Sequence, residues 1–330
     1  MILFGNKMAA PEKYSHLKEK RVDLRGAIPL AKPFTILFEP ASTCNFKCVC
    51  CFQNEPDFHS YIPKGRMKFD DFKKIVDDLA AWEGCRLKVV RIIGFGEPLL
   101  NPDTPNMVKY LKKLDVSERV EITTNASLLS PSVAQQLIDS ELDYIRCSIY
   151  SVDQKRHEVL TQSGINIEKI KNNITMLKEL RIASGSLKPF IYVKMLESQN
   201  ESENALFLKE YSSVADEVAL ERPHQWLSNT DNTAMKMRSA CPQPFKMLSI
   251  HFDGSVILCD PDWKGATCVG NALSENISSI WGGTDMRKFW RMQLENRRHE
   301  NESCRNCSFL VDEYVIDDLD GVLPDVLGEG

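Results

Sequence analysis

The sequence predicts an α/β protein: a (βα)6 partial barrel or an open parallel sheet, followed by a small α+β unit. Three observations carry that prediction. Short runs rich in Val, Ile, Phe and Tyr alternate six times with amphipathic stretches, the pattern of parallel βαβ units. Six units fall short of the eight that close a TIM barrel. After about residue 225 the alternation stops, and a hairpin signature and a further amphipathic stretch follow.

In chain order, strands are expected at TILFEP (35–40), KVVRIIG (88–94), RVEITT (119–124), YIRCSIY (144–150), FIYVKML (190–196) and EVALE (217–221). These runs have the length and composition of strands covered on both faces. Helices are expected at DFKKIVDDLAAW, TPNMVKYLKKL, PSVAQQLIDS, IEKIKNNITMLKEL and ENALFLKEY, where apolar residues recur at helical spacing. Asp70, Ser130 and Ser202 stand at N-cap positions, and Pro131 fits the first helical position. In either architecture a site belongs at the C-terminal ends of the strands. Beyond the sixth strand, WLSNTDNTAMKMRSA is polar and aperiodic and reads as a connector. MLSIHF and SVILC flank Asp253-Gly254 and read as a hairpin with a two-residue turn. SSIWGGTDMRKFWRMQLEN reads as a helix that Gly282-Gly283 can break in its first turn. The last stretch, Asp312 to Gly330, holds seven acidic and no basic residues, a solvated tail or a cap. The expected division is therefore 1–34 N-terminal extension, 35–225 barrel, 226–240 connector, 241–311 small domain and 312–330 acidic tail.

Composition narrows the function classes. A formal charge of −5 lacks the basic excess of a nucleic-acid binder. No apolar run approaches the ~18–20 residues of a membrane span, and Lys7 interrupts the N-terminus before a secretory apolar region develops. A cytoplasmic protein is expected. Eleven cysteines depart from this average picture. In a reducing compartment they point to metal ligation or catalysis rather than disulfides. They gather in two clusters: Cys44, Cys48, Cys50 and Cys51 near one end, and Cys241, Cys259, Cys268, Cys304 and Cys307 near the other, with Cys85 and Cys147 standing alone.

Cys44-x3-Cys48-x2-Cys51 begins just past the first strand. Three thiolates on a short loop can hold three irons of a [4Fe–4S] cluster, which normally takes four Cys ligands, and leave the fourth iron open. The alternatives are a zinc site completed elsewhere, or reduced thiols. With the triplet stand Gly94-Phe95-Gly96-Glu97-Pro98 after the second strand, Thr124-Asn125-Ala126 after the third and Ser148-Ile149-Tyr150 on the fourth. In these residues, spanning about 35–222, the chain resembles the radical S-adenosylmethionine (SAM) superfamily.

The resemblance implies that the open iron is chelated by the methionine end of SAM, and that one electron cleaves SAM to a 5′-deoxyadenosyl radical. That radical abstracts hydrogen from an unactivated C–H bond. Glu97 is suited to accept charge-assisted hydrogen bonds from the SAM ammonium group, although a lone Gly-Glu-Pro also occurs as an ordinary cap. Asn125 and Ser148 are candidate contacts to the ribose or amino-acid part, or turn-closing residues. Lys194 interrupts an apolar strand and either faces substrate or the SAM carboxylate, or snorkels. Two positions depart from the family pattern: Cys50 replaces a common aromatic residue, and Thr161 lies near where an Arg is common. Strand alternation sends Arg146, Ser148 and Tyr150 inward and Cys147 into the core.

Cys241-x12-Gly254-x4-Cys259, followed by Cys304-x2-Cys307, resembles the twitch form of the SPASM extension. The fold class is then a (βα)6 partial TIM barrel with a small C-terminal α+β twitch (SPASM-like) domain. Four thiolates suit one auxiliary [4Fe–4S] cluster, with a four-cysteine zinc site as the alternative. Cys268 is surplus to that set. Asp260 directly follows Cys259 and is a candidate base during substrate oxidation, or else a turn residue before Pro261.

One auxiliary cluster suits a two-electron oxidation, so the expected reaction is dehydrogenation of a sugar or aminocyclitol type small molecule. The alternative is crosslinking, thioether formation or epimerisation of a ribosomally made peptide. Only 34 residues precede the first strand, too few for a fused peptide-recognition domain, which favours the small molecule. An external one-electron donor such as flavodoxin or ferredoxin is the expected partner.

Overall fold

The computed structural model describes residues 22–221, 238–305, 307, 309–311 and 317–328. Six parallel strands, β1 (Thr35–Phe38), β2 (Leu87–Ile92), β3 (Ser117–Thr124), β4 (Tyr144–Ile149), β5 (Phe190–Leu196) and β6 (Glu217–Glu221), lie side by side in sequence order. The helices between them are α1 (Phe69–Ala81), α2 (Thr104–Leu114), α3 (Pro131–Asp139), α4 (Gln154–Thr161), α5 (Ile167–Ala183) and α6 (Glu201–Tyr211). This is the expected partial barrel. Among the described residues no helix is long and apolar enough to cross a membrane.

Strand alternation divides the barrel. Ile36, Phe38, Val90, Ile92, Val120, Ile122, Ile145, Cys147, Ile191 and Val193 are buried under the helices in one apolar core. Helix α1 supplies Phe72, Ile75, Val76 and Leu79 to it, with Phe38 and Phe72 edge to face at 5.1 Å. Each such side chain is worth about 1.5–3 kcal/mol when fully buried. Cys147 is therefore core, as alternation required. The opposite faces of the strands carry charge. Glu121 is fully buried, and Arg91 Nε at 2.8 Å, Arg119 Nη2 at 2.5 Å and Arg146 Nε at 3.2 Å surround it. Burial alone would push Glu121 up, but Arg91, Arg146 and Arg119 hold it below the usual carboxylate range.

Several local expectations change. Helix α1 starts at Phe69 with Lys68 at the cap, so Asp70 sits in the first turn. Asn200 caps α6 and accepts from the Ser202 N–H, which moves Ser202 inside the helix. Ser130 does cap α3, with Pro131 after it. Helix α4 is an addition to the expected elements, because few apolar residues mark it in the sequence.

The C-terminal hairpin joins the same sheet. β7 (Met247–Ile250) runs parallel to β1, with Thr35 opposite Met247 and Phe38 opposite Ile250. β8 (Ser255–Ile257) and β9 (Cys268–Asn271) follow antiparallel, giving the order β6-β5-β4-β3-β2-β1-β7-β8-β9. The hairpin loop has three residues, not two. His251 N–H donates to Ser255 O, and Gly254 N–H donates to His251 O, both at 2.9 Å. Phe252 and Asp253 thus form the turn, and Gly254 follows at φ +84°, the bulge position that favours glycine. The expected long helix is two, α7 (Ile277–Trp281) and α8 (Thr284–Leu294), broken at Gly282-Gly283. A short α9 (Glu302–Arg305) carries Cys304. Most of the expected connector, 226–237, lies outside the described residues. In the acidic stretch, residues 317–328 form a cap: Leu319 is fully buried, and Asp320 accepts from the backbone of Ser239 and Ala240.

Candidate active site and cysteine clusters

The Cys44–Cys51 loop crosses the C-terminal mouth of the barrel and is tied down at both ends. Lys47 and Val49 N–H donate to the Thr161 and Leu160 carbonyls at the end of α4, each at 2.9 Å. Beyond Cys51, Gln53 Nε2 donates to the Ser42 and Phe95 carbonyls at 2.7 and 3.0 Å. Thr161 itself is buried and donates back to His157 O, so its hydroxyl is committed within α4.

Gly96 lets the second-strand loop press against this segment. A Cβ there would stand 2.1 Å from Ala41 O and 2.4 Å from Thr43 O, an overlap only glycine avoids. The close approach places Glu97 beneath the triplet. Its Oε1 accepts from Thr124 Oγ1 at 2.6 Å and Leu99 N–H at 3.1 Å, and its Oε2 from Asn125 N–H at 2.8 Å. Burial pushes Glu97 above the ordinary carboxylate value, against these three hydrogen bonds. Asn125 Nδ2 donates to Asn45 Oδ1 at 2.9 Å and points at Cys44 Sγ, 3.9 Å away. Tyr150 hydrogen-bonds Cys48. Ser148 lies opposite Lys194 in the β4–β5 register, and Lys194 Nζ pairs with Glu221 Oε2 at 2.7 Å. Glu97, Asn125 and the triplet are thus brought together, while Ser148 and Lys194 sit on the neighbouring strand ends.

The thiols fit a metal cluster. Burial pushes Cys44 up to about 12, and neighbouring Glu97 and Cys51 add to that rise. Buried thiolates beside a carboxylate require a cationic partner. Cys48 and Cys51 are likewise raised by burial, while Cys50 is exposed.

The second set converges from separate elements. Cys241, Cys259, Cys304 and Cys307 line one cavity of about 340 Å³ together with Asp260 and Arg298. Gln293, fully buried on α8, spans two of the four. Its Oε1 accepts from Cys241 N–H at 3.1 Å, and its Nε2 lies 3.6 Å from Cys304 Sγ. Buried Asp262 joins the other parts, accepting from Thr267 N–H and from Ser303 Oγ. Burial pushes Cys241 up to about 12 and Cys304 to about 11. Four thiolates on one zinc at about 2.3 Å would lie within roughly 3.8 Å of each other. Among the described residues no three His, Cys, Asp or Glu side chains are grouped as a single metal ion requires. A cubane takes one thiolate per iron, and the four cysteines of this cavity supply four. Cys85 and Cys268 are exposed and belong to neither group.

Asp260 is an exposed residue that opens onto the cavity. Arg91 and His251 favour its charged form, and Glu39 opposes it. Two contacts join the clusters. Glu39, at the end of β1, accepts Phe95 N–H at 2.8 Å and meets His251 Nδ1 at 3.2 Å. Burial would lower His251, but Glu39, with Asp253 and Asp260 behind it, raises it above the ordinary imidazole value. A small aromatic core of Phe58, Ile62, Phe95 and Trp263, with Phe52 packed against it, fills the space between the two regions.

Sequence reasoning missed Asn45, Gln293, Asp262 and Arg298. Strand alternation places Tyr150 inward but does not reveal its neighbour Cys48.

The family model of the Radical SAM superfamily matches residues 38–202, and that of SPASM, an iron–sulfur cluster-binding domain, matches 241–308. A tungsten-containing aldehyde ferredoxin oxidoreductase cofactor-modifying protein of Pyrococcus furiosus is 27% identical over 225 residues, 67% of this chain and 56% of the relative. A GTP 3′,8-cyclase of Lactiplantibacillus plantarum is 29% identical over 166 residues, 50% of this chain and 46% of the relative. The chain spans about half the length of these curated relatives. Among solved structures, BtrN in complex with AdoMet and 2-DOIA aligns at TM-score 0.54 and 18% identity, over 84% of this chain and 93% of that one. SuiB of Streptococcus suis bound to precursor peptide SuiA aligns at TM-score 0.62 and 15% identity, over 93% and 76%. These likenesses show the fold. The two family domains bring SAM, a SAM-binding [4Fe–4S] cluster and auxiliary iron–sulfur. With both domains matched and their cysteines gathered at the barrel mouth and in the C-terminal cavity, the chain belongs to the radical SAM superfamily and carries a C-terminal SPASM domain.

Proposed function

We propose that this radical SAM enzyme dehydrogenates a small hydroxyl-bearing molecule of the sugar or aminocyclitol type, with Asp260 as the base. In this reading Cys44, Cys48 and Cys51 hold the SAM-binding cluster, and Cys241, Cys259, Cys304 and Cys307 hold one auxiliary [4Fe–4S] cluster. When bound, these groups supply a 5′-deoxyadenosyl radical for hydrogen abstraction and a one-electron acceptor, with the first electron coming from a flavodoxin- or ferredoxin-type donor.

The observation that carries the reading is that Asp260 lines the same cavity as the four cysteines, beside Arg91 on the barrel's charged face. A carboxylate there takes the hydroxyl proton of a substrate whose carbinol hydrogen has been removed. Glu97 retains lone-pair capacity for the SAM ammonium group, and Asn125 and Ser148 offer polar contacts to the rest of SAM. Lys194 and Glu221, paired at 2.7 Å, and Arg146 offer a polar substrate both donors and acceptors. The likeness to BtrN in complex with 2-DOIA supports a small molecule.

Asp260→Asn keeps shape and loses basicity. It is expected to retain iron and SAM cleavage, while oxidised product falls by about 10²–10⁴-fold. Undiminished product removes Asp260 as base. A second reading, peptide modification, is supported by the likeness to SuiB bound to SuiA. A product isomeric with its substrate, or a crosslinked peptide, would favour it.

A further inference from the structure

Arg298 is 7% exposed and lines the cavity that holds the four C-terminal cysteines. One arm of its guanidinium is fixed. Nη2 donates to Cys304 O at 2.5 Å and to Cys307 O at 2.9 Å, so the chain that carries two of the thiols also clamps the arginine. The other arm is open: Nη1 is buried and has no hydrogen-bond partner among the described residues. A buried guanidinium N–H left without an acceptor is costly, and arginine is always charged. A cation with an open donor, held at the wall of a thiol-lined cavity, is an arrangement that an anionic occupant completes.

We propose that Arg298 donates from Nη1 to the sulfur of an auxiliary [4Fe–4S] cluster and thereby raises its reduction potential, acting as a positioning and tuning residue for electron acceptance. The proposal rests on the reading that Cys241, Cys259, Cys304 and Cys307 hold such a cluster. Its physical basis is charge. One-electron reduction adds negative charge to a group already ligated by four thiolates. A fixed neighbouring cation favours the reduced form more than the oxidised one, and low local dielectric strengthens the effect. Hydrogen bonds to cluster sulfurs are an established means of setting potential.

The test uses full-length protein carrying Cys44→Ala, Cys48→Ala and Cys51→Ala, reconstituted anaerobically, so that the auxiliary cluster is the sole signal. Iron content is measured first, and the potential is then read by EPR during titration with dithionite. Arg298→Gln is expected to make reduction about tenfold less favourable, about 59 mV lower for a one-electron couple. Arg298→Lys, which keeps the charge but loses the fork, should fall between. An unchanged potential in Arg298→Gln with iron retained overturns the proposal. Should Arg298→Gln lose its iron, Arg298→Lys decides: a lowered potential supports the proposal and an unchanged one overturns it. A parent protein that binds no iron at all would remove the four-cysteine reading itself, an outcome distinct from an unshifted potential.

Discussion

The two cysteine sites reach similar chemistry from opposite directions. At the barrel mouth, three thiols come from one stretch of eight residues, 44–51, and the protein's work is to dock that stretch on α4, Gly96 and Gln53. In the C-terminal cavity the thiols come from residues 241, 259, 304 and 307, on separate elements, and the work is done by buried polar side chains that hold those elements to one another. The first site is a preformed loop looking for a platform; the second exists only once its parts have met. A continuous motif tolerates losing a neighbour better than an assembled one.

Removing the thiols themselves should have the largest effect and separate the sites cleanly. Cys44→Ala, Cys48→Ala or Cys51→Ala should abolish 5′-deoxyadenosine formation and leave about four of about eight irons per chain. Cys304→Ala/Cys307→Ala should do the converse, keeping SAM cleavage and losing the other four. Cys50→Ala should do neither. Anaerobic iron, sulfide and zinc analysis alongside the SAM assay checks this, and stoichiometric zinc that vanishes with Cys304 and Cys307 would break the comparison.

A subtler change should distinguish assembled from continuous. Gln293→Leu preserves bulk but removes the links to Cys241 N–H and Cys304 Sγ. Outer partners of ligands are typically worth 10–100-fold in metal affinity, so iron loss from the auxiliary site during chelator challenge should rise by about that factor. SAM cleavage should be unaffected.

The smallest effect concerns the contact between the sites. His251 is raised above its unfolded value by Glu39, so the pair's contribution is fully present below the unfolded imidazole value of about 6.5 and is lost as pH rises through the folded one. A charge-assisted bond of this kind is worth about 1.5–3 kcal/mol. The stability gap between wild type and Glu39→Gln, from denaturant melts, should therefore be wider at about pH 5.5 than at about pH 9. A gap that is the same at both would mean the Glu39–His251 pair adds no charge-assisted bond to the contact between the two regions.

What was legible in the sequence follows the same division. The six barrel strands, the triplet and the Gly94–Pro98 element are local patterns, with alternation and spacing visible within a few residues, and the four auxiliary cysteines were visible as a spacing. What holds those four together was not. Gln293 reaches Cys241 across 52 positions, and nothing near Gln293 in an amphipathic helix distinguishes it from a solvent-facing glutamine. Arg298 and Asp262 are hidden in the same way, as charged residues in short polar segments. The turn at Asp253-Gly254 was misjudged by one residue because two- and three-residue hairpins both favour glycine, and only the His251–Ser255 pairing tells them apart.

The parallel pairing of β7 with β1 has a consequence beyond positioning. Were the chain cut ahead of Cys241, Thr35–Phe38 would become an edge strand, with a row of unsatisfied amides and carbonyls beside apolar Ile36, Leu37 and Phe38. Such edges invite pairing with other copies. The strand that leads into the Cys44–Cys51 loop is thus shielded from aggregation by the segment that follows Cys241, so the two cysteine regions share one sheet and lean on one another for its integrity.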